Sequence, residues 1–247
     1  MAESTAPVAL VCFAHPDDAE FMCAGTVARW AREGVRVVYV VLTDGSKGTD
    51  DPAISPAALV AQRVQEQREA ARLLGVAEVL FLGYEDGRLQ DTEEVRRALT
   101  RLIRQYRPER VIAPDPTARW FGQHYINHPD HVAAGNATLA AVSLYARNRL
   151  SFPGLLAEGL EPHKVRELYL AATTAPDRWV DITDTLDLKI AALRAHAERI
   201  RAAELAKAYS RLGDLTERER ATIEALTAAI VNKLLHQPIV RLKERTP

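Results

Sequence analysis

The chain has 247 residues, 47% hydrophobic and 26% charged, an ordinary balance for a protein that buries one substantial core, with or without an appendage, and one that excludes wholesale disorder. With 32 basic and 33 acidic residues the formal net charge is −1, so no global field draws the chain to nucleic acid or to an anionic membrane. The N-terminal MAESTAP lacks the basic and apolar regions of a secretory leader, and no stretch reaches the roughly 20 apolar residues of a spanning helix. Cys12 and Cys23 suit reduced thiols, so a cytoplasmic location is expected.

Apolar runs and amphipathic stretches alternate along the chain. VALVCF at 8–13 reads as a buried strand, and a helix near 20–33 stops at Gly34. VRVVYVVLT then makes a second strand rich in β-branched residues. A right-handed crossover makes these two strands parallel, with ligands gathering beyond their carboxyl ends. Asp44 lies there and opens a polar loop, 46–55, that borders the same space. Residues 57–74 form an amphipathic helix ended by Gly75, in which Arg63 and Glu66 have the spacing of an ion pair. AEVLFLG is a third strand, followed by a turn with Asp86 and Gly87, then a helix near 91–106 that stops before Pro108. ERVIAP is a fourth strand, with Asp115 as a turn former behind it. Trp120, Phe121, His124 and Tyr125 occupy a loop, aromatics that either wall a pocket or pack the loop down. A helix from His131 to about Arg149 follows. VRELYLAAT and WVDIT are further strands, and a helix opens behind Asp184 as N-cap. The pattern predicts a doubly wound, mostly parallel α/β sheet of Rossmann-like type over residues 1–196 and a helical tail over 197–247.

Two stretches concentrate chemistry. AHPDDAE, residues 14–20, follows the first strand, and NHPDHVAAG, residues 127–135, answers it from far along the chain. His15, Asp18 and His131 make a two-histidine, one-carboxylate set that suits Zn²⁺ with one position left for water. Asp17 remains as a carboxylate able to take that water's proton. His128 is then placed to stabilise an oxyanion or protonate a departing amine, with Asp130 holding its ring through the other N–H. Each cluster alone also reads as a helix cap. Two such clusters at two strand-to-helix junctions favour the metal.

These motifs, together with TDGSKGT at 43–49, RVQEQREAARLLGV at 63–76, FLGYEDGRL at 81–89 and VDITDTLDLKIAALRAH at 180–196, resemble the GlcNAc-phosphatidylinositol de-N-acetylase family, also called PIG-L or LmbE-like. The resemblance implies zinc on His15, Asp18 and His131, a general base at Asp17 and an electrostatic or acid role for His128. It also makes Arg63 a candidate contact to a sugar, and Asp44 is carried as a second. Many relatives have two glycines where this chain has Ala24 and Gly25.

The tail differs. Ile223, Leu226, Ile230 and Leu234 line one helical face, and GDLT breaks two helices. The segment resembles the dimerisation helices of glutamyl-tRNA reductase, without that enzyme's catalytic portion, and implies a homo-oligomer. The expected activity is zinc-dependent hydrolysis of the N-acetyl group of a small amino-sugar substrate. Hydrolysis of another amide, such as an amino sugar–thiol conjugate, and a non-catalytic metal- or sugar-binding module are the alternatives.

Overall fold

Strand formation follows the apolar runs. In this computed structural model, which describes residues 6–244 except the side chains of 199, 200, 203, 207, 210, 232 and those from 234 onward, the strands are β1 (Val8–Phe13), β2 (Arg36–Thr43), β3 (Glu78–Tyr84), β4 (Arg110–Pro114), β5 (Trp120–Phe121), β6 (Tyr125–Ile126) and β7 (Glu167–Ala171). β5 and β6 form a small antiparallel hairpin. The other five make one parallel sheet in the order β3-β2-β1-β4-β7. The helices are α1 (Asp18–Met22), α2 (Ala24–Arg32), α3 (Pro56–Leu73), α4 (Glu93–Tyr106), α5 (Pro129–Ala140), α6 (Pro153–Ala157), α7 (Leu186–Leu212) and α8 (Glu217–Glu244).

The central strands are apolar at nearly every position because helices cover both faces. Ala9, Val11 and Phe13 of β1 pack with α2 and α3 and with Ala192 of α7, whereas Leu10 and Cys12 face α4 and α5. Burying a side chain such as Leu10 or Leu42 contributes on the order of 2 kcal/mol. The two cysteines are buried and unpaired, as expected, and burial pushes the Cys12 thiol up to about 12. The strand order reverses between β1 and β4. Open α/β sheets form their ligand crevice at such a switch, outside the carboxyl ends of the strands. His15 follows β1 and His131 lies at the start of α5, after β4. Parallel pairing of β1 with β4 therefore closes a separation of 116 residues.

Several elements differ from the sequence expectation. The first helix is two pieces, α1 and α2, broken at Cys23. The helix after His131 is regular only to Ala140 and ends in a π turn, Ala141–Tyr145. WVDIT is not a strand, and Trp179 is 76% exposed. The segment is held across the molecule instead of along a ladder: Arg29 Nη1 donates to the Asp181 carbonyl at 3.0 Å and, just beyond it, Arg32 Nη1 to the Asp184 carbonyl at 2.8 Å. Ile182 sits directly on Gly25, where any Cβ would come within 2.6 Å of it, so this second residue of α2 has no room for a side chain. Asp184 does not cap the following helix; Thr185 holds that position, with its hydroxyl donating to the Gly25 carbonyl at 2.8 Å.

The predicted break at GDLT is present between α7 and α8. α7 itself runs unbroken through residues 196 and 197, packing on α2 and α3 before it meets α8. Leu226 and Ile230 of the predicted apolar face are 60% and 48% exposed, while the side chain of residue 234 lies outside the described residues.

Candidate active site

The turn after β1 is anchored at the Ala14 carbonyl, which accepts from both the backbone N–H and the hydroxyl of Thr43, each at 2.8 Å. The His15 backbone N–H then donates to Asp18 Oδ2 at 2.8 Å, folding HPDD back on itself. Asp17 pays a conformational penalty for this turn: its φ of 103° lies in the left-handed region, which costs on the order of 1–3 kcal/mol for a non-glycine residue. It precedes α1 without making a side-chain cap, so the capping reading of HPDD does not apply. In the second cluster, Gly135 lets α5 lie against the end of β4, since a Cβ there would approach the Pro114 carbonyl to 2.4 Å.

His15, Asp18 and His131 converge. His131 Nε2 lies 3.0 Å from Asp18 Oδ1 and 3.2 Å from His15 Nδ1, and His15 Nδ1 lies 3.5 Å from Asp18 Oδ2. Their surroundings set the tautomers. Asn127 Nδ2 donates to the Ala118 carbonyl, which leaves Asn127 Oδ1 to accept from His131 Nδ1 at 2.9 Å. His15 Nε2 faces Asp86 Oδ1 at 3.2 Å and Asp130 Oδ2 at 3.3 Å, so that nitrogen carries hydrogen. The atoms turned toward one another are thus two imidazole lone pairs and a carboxylate. Such a set repels itself unless a cation sits among it, and two imidazoles with one carboxylate suit zinc. The carboxylates also draw positive charge to the cluster: burial opposes charge on His15, yet Asp18 and Asp86 overcome it and push its pKa up to about 10, so a metal taking the Nδ1 lone pair would displace a proton. Burial acts against the ionised Asp18, but His131 and His15 outweigh it and hold that carboxyl well below the usual range.

Asp17 and His128 flank this set. Burial pushes Asp17 up to about 6 despite the opposing charge of Arg63, whose Nη2 donates to Asp17 Oδ2 at 2.8 Å and to the Pro16 carbonyl at 2.6 Å. The expected Arg63–Glu66 ion pair is replaced by this contact, and buried Glu66 accepts instead from Gln62 at 2.8 Å. His128 is the N-cap of α5, its Nδ1 accepting from the Asp130 backbone N–H at 3.2 Å, so its Nε2 carries the hydrogen. Burial, and then the charge of His15, lower its pKa and favour this neutral form over an imidazolium.

Two expectations need correction. Asp130 does not hold His128: its oxygens accept from Gly87 N at 2.7 Å and Leu89 N at 3.2 Å, and it supports His15 instead. Asp44 is not among the residues lining the cleft. Its Oδ1 accepts from Ser46 N and Asp86 N at 3.0 and 3.1 Å, tying the loop after β2 to the turn after β3. Sequence reasoning passed over Asp86, read as part of a turn, and Asn127. Asp86 lies in the buried contact with His15, whose hydrogen bond holds its carboxyl down to about 2 against burial. Only the Asp-Gly turn between a strand and a helix hinted at it. The cleft measures about 340 Å³ and is lined by His15, Asp17, Lys47, Gly48, Arg63, Asp86, Gly87, Tyr125, His128 and His131. The loop at Lys47 thus borders it, as expected, and of the two alternatives for the aromatic loop Tyr125 takes the pocket wall. Larger recesses lie against β7 and between α7 and α8, at about 480 and 570 Å³, but neither adjoins the histidine cluster.

The profile described as PIG-L: GlcNAc-PI de-N-acetylase matches residues 10–142, and that of the glutamyl-tRNA(Glu) reductase dimerisation domain matches residues 177–247. The chain is 37% identical over 182 residues to diacetylchitobiose deacetylase of Thermococcus kodakarensis, an alignment covering 74% of this chain and 66%, just under two thirds, of that protein. Among solved structures it is similar to N,N′-diacetylchitobiose deacetylase from Pyrococcus horikoshii, with a TM-score of 0.71 and 36% identity over 79% of this chain and 71% of that one. It also shares the fold, at 22% identity and a TM-score of 0.67 over 85% and 91% of the two chains, with the 4-carboxy-2-hydroxymuconate hydratase GalB from Pseudomonas putida KT2440. A profile match over more than half of its residues, reinforced by a solved relative at 36% identity, places this chain in the GlcNAc-PI de-N-acetylase (PIG-L) family of hydrolytic N-deacetylases.

Proposed function

We propose that the chain hydrolyses the acetamide of an N-acetylglucosamine-type substrate to the free amine and acetate, with a divalent metal, Zn²⁺ first, on His15, Asp18 and His131. The observation that carries this reading is the inward-facing set of lone pairs with Asp17 and His128 on either side of it. When bound, the metal supplies Lewis-acid activation of water and of the amide carbonyl. Asp17 has one oxygen engaged by Arg63, and its other oxygen takes the proton of the attacking water. His128 Nε2–H donates to the carbonyl oxygen as it gains negative charge. The proton held by Asp17 then passes to the departing nitrogen, so water is divided between acetate and amine. Asp86 and Asp130 keep the His15 lone pair directed inward, and Arg63 joins the wall of the cleft where a sugar hydroxyl would lie. The names of the relatives point to small glycosides, so N-acetylglucosamine, its α-linked conjugates and N,N′-diacetylchitobiose are the substrates to test. Amine release that disappears on chelation and returns with Zn²⁺ is expected; one metal per chain with no amine from any of them would overturn the proposal.

We further propose that the catalytic unit, residues 1–196, works in the cytoplasm as a homodimer built through the helical tail. No helix among the described residues is long and apolar enough to cross a membrane. α8 packs chiefly on α7, leaving Leu226 and Ile230 outward, and the similarity of residues 177–247 to a dimerisation domain supports a second copy as the occupant of that face. Light scattering on the full chain is expected to give twice the monomer mass, reverting to the monomer in Leu226→Glu/Ile230→Glu; a monomeric parent protein would refute this.

A further inference from the structure

Beneath Asp17 lies a buried polar cluster that the reaction does not use. The left-handed backbone of Asp17 is secured by its N–H, which donates to Gln67 Oε1 at 2.7 Å. Gln67, 1% exposed, is itself oriented by donating through Nε2 to Glu20 Oε1 at 3.0 Å. Glu20 is fully buried, and its second oxygen has no hydrogen-bond partner. The imidazole of His196, projecting from α7, stands between Glu20 and Glu66: Nε2 is 3.6 Å from Glu20 Oε2, and Nδ1 is 3.7 Å from Glu66 Oε2. The Tyr39 hydroxyl, also buried and unpartnered, belongs to the same cluster, its ionisation suppressed by burial and by Glu20.

Two carboxylates enclosed with one imidazole define what that imidazole must do. Buried anions without a compensating charge are strongly disfavoured, and among the described residues His196 is the basic side chain that pairs with Glu20 and Glu66, since Lys189, whose charge Glu20 also feels, donates to the Phe21 carbonyl at 2.7 Å. Burial works against a charged His196, but Glu20 and Glu66 outweigh it and raise its pKa to about 9. We propose that His196 is a positioning residue for Asp17: as the cation between Glu20 and Glu66 it keeps Glu20 in place to orient Gln67, and Gln67 holds the strained Asp17 backbone at the cleft. The helix that enters the tail thereby contributes to the geometry of the site without touching substrate. The catalytic part of this inference rests on Asp17 being the general base.

The test separates the two ideas. Amide hydrogen exchange at Asp17 and steady-state kinetics are compared in metal-loaded wild type, His196→Gln, and His196→Gln/Glu66→Gln, with Asp17→Asn alongside. In His196→Gln, exchange at the Asp17 amide is expected to rise about tenfold or more, and kcat to fall by a similar factor, with KM and bound metal unchanged. Removing the surplus negative charge in the double variant is expected to recover most of both losses, which a purely space-filling role for the ring would not produce. Should His196→Gln unfold, Gln67→Met removes the acceptor of the Asp17 N–H directly and is expected to give the same pair of changes. Unchanged exchange at Asp17 in a folded His196→Gln protein, or no recovery in the double variant, would overturn the positioning role. Full activity in Asp17→Asn with altered exchange in His196→Gln would instead remove the general-base reading and leave the structural link standing.

Discussion

At the end of β1, His15-Pro16-Asp17 turns its histidine inward among lone pairs and leaves its aspartate on the cleft wall; at the start of α5, His128-Pro129-Asp130 puts the histidine on the wall and buries the aspartate. The side chains of Asp17 and Asp130 are 30% and 1% exposed. Backbone conformation separates the two copies. His128 has extended φ and ψ of −61° and 135° with Pro129 in the first helical turn, an unstrained helix start that consumes its Nδ1 as a cap. Asp17 instead takes φ of 103°, held by Gln67, so the first copy cannot cap in the same way. The same three residue types therefore perform opposite tasks, and what assigns the task is the partner each group meets across the fold.

The strongest test of this division exchanges one histidine role for the other. His131→Ala is expected to abolish metal binding and reduce amine release to background, whereas His128→Ala keeps the metal and loses about 10²–10³ in kcat; metal content by atomic absorption and single-substrate kinetics distinguish them. Equal metal loss in both would show that His128 is a ligand.

The two aspartates should separate next. Asp17→Asn is expected to retain metal and lose about 10²–10⁴ in turnover. Asp130→Asn, which weakens the support of His15, should lower metal affinity about 10- to 100-fold while the fully loaded enzyme keeps most of its rate. If competition with a chelator gave both variants wild-type affinity, Asp130 would have no part in orienting His15.

The smallest effect sharpens how α5 delivers the second copy. Gly135→Ala places a methyl against the Pro114 carbonyl and is expected to cost about 1–3 kcal/mol in denaturant unfolding, because backbone rather than a flexible side chain stands in the way. An unchanged midpoint would mean that α5 can shift without loss.

Much of the fold is legible in the sequence. Buried strands with apolar residues on both faces announce themselves, and the reading of β1 to β4 as parallel strands followed from βαβ order. WVDIT departs from a strand for a physical reason: Ile182 covers Gly25 and the Asp181 carbonyl receives Arg29, neither of which leaves a periodic trace. Arg63 and Glu66 likewise have the spacing of a surface pair, yet one turns toward Asp17 and the other is buried toward His196. Asp86 was visible only as a turn residue, since nothing local says that its carboxylate will meet a histidine from another strand.

What the sequence determined by itself was the class of fold and the two clusters that meet in the candidate site, because hydrophobic period and the paired HPDD and HPDH stretches are short-range patterns. Which oxygen or nitrogen each of those residues offers was decided by the tertiary structure alone. Tautomers, the support of His15 by Asp86 and Asp130, and the link from His196 to Asp17 all depend on contacts made when β1, β3, α3, α5 and α7 pack together, and packing partners distant in the chain leave no signature in the order of its residues.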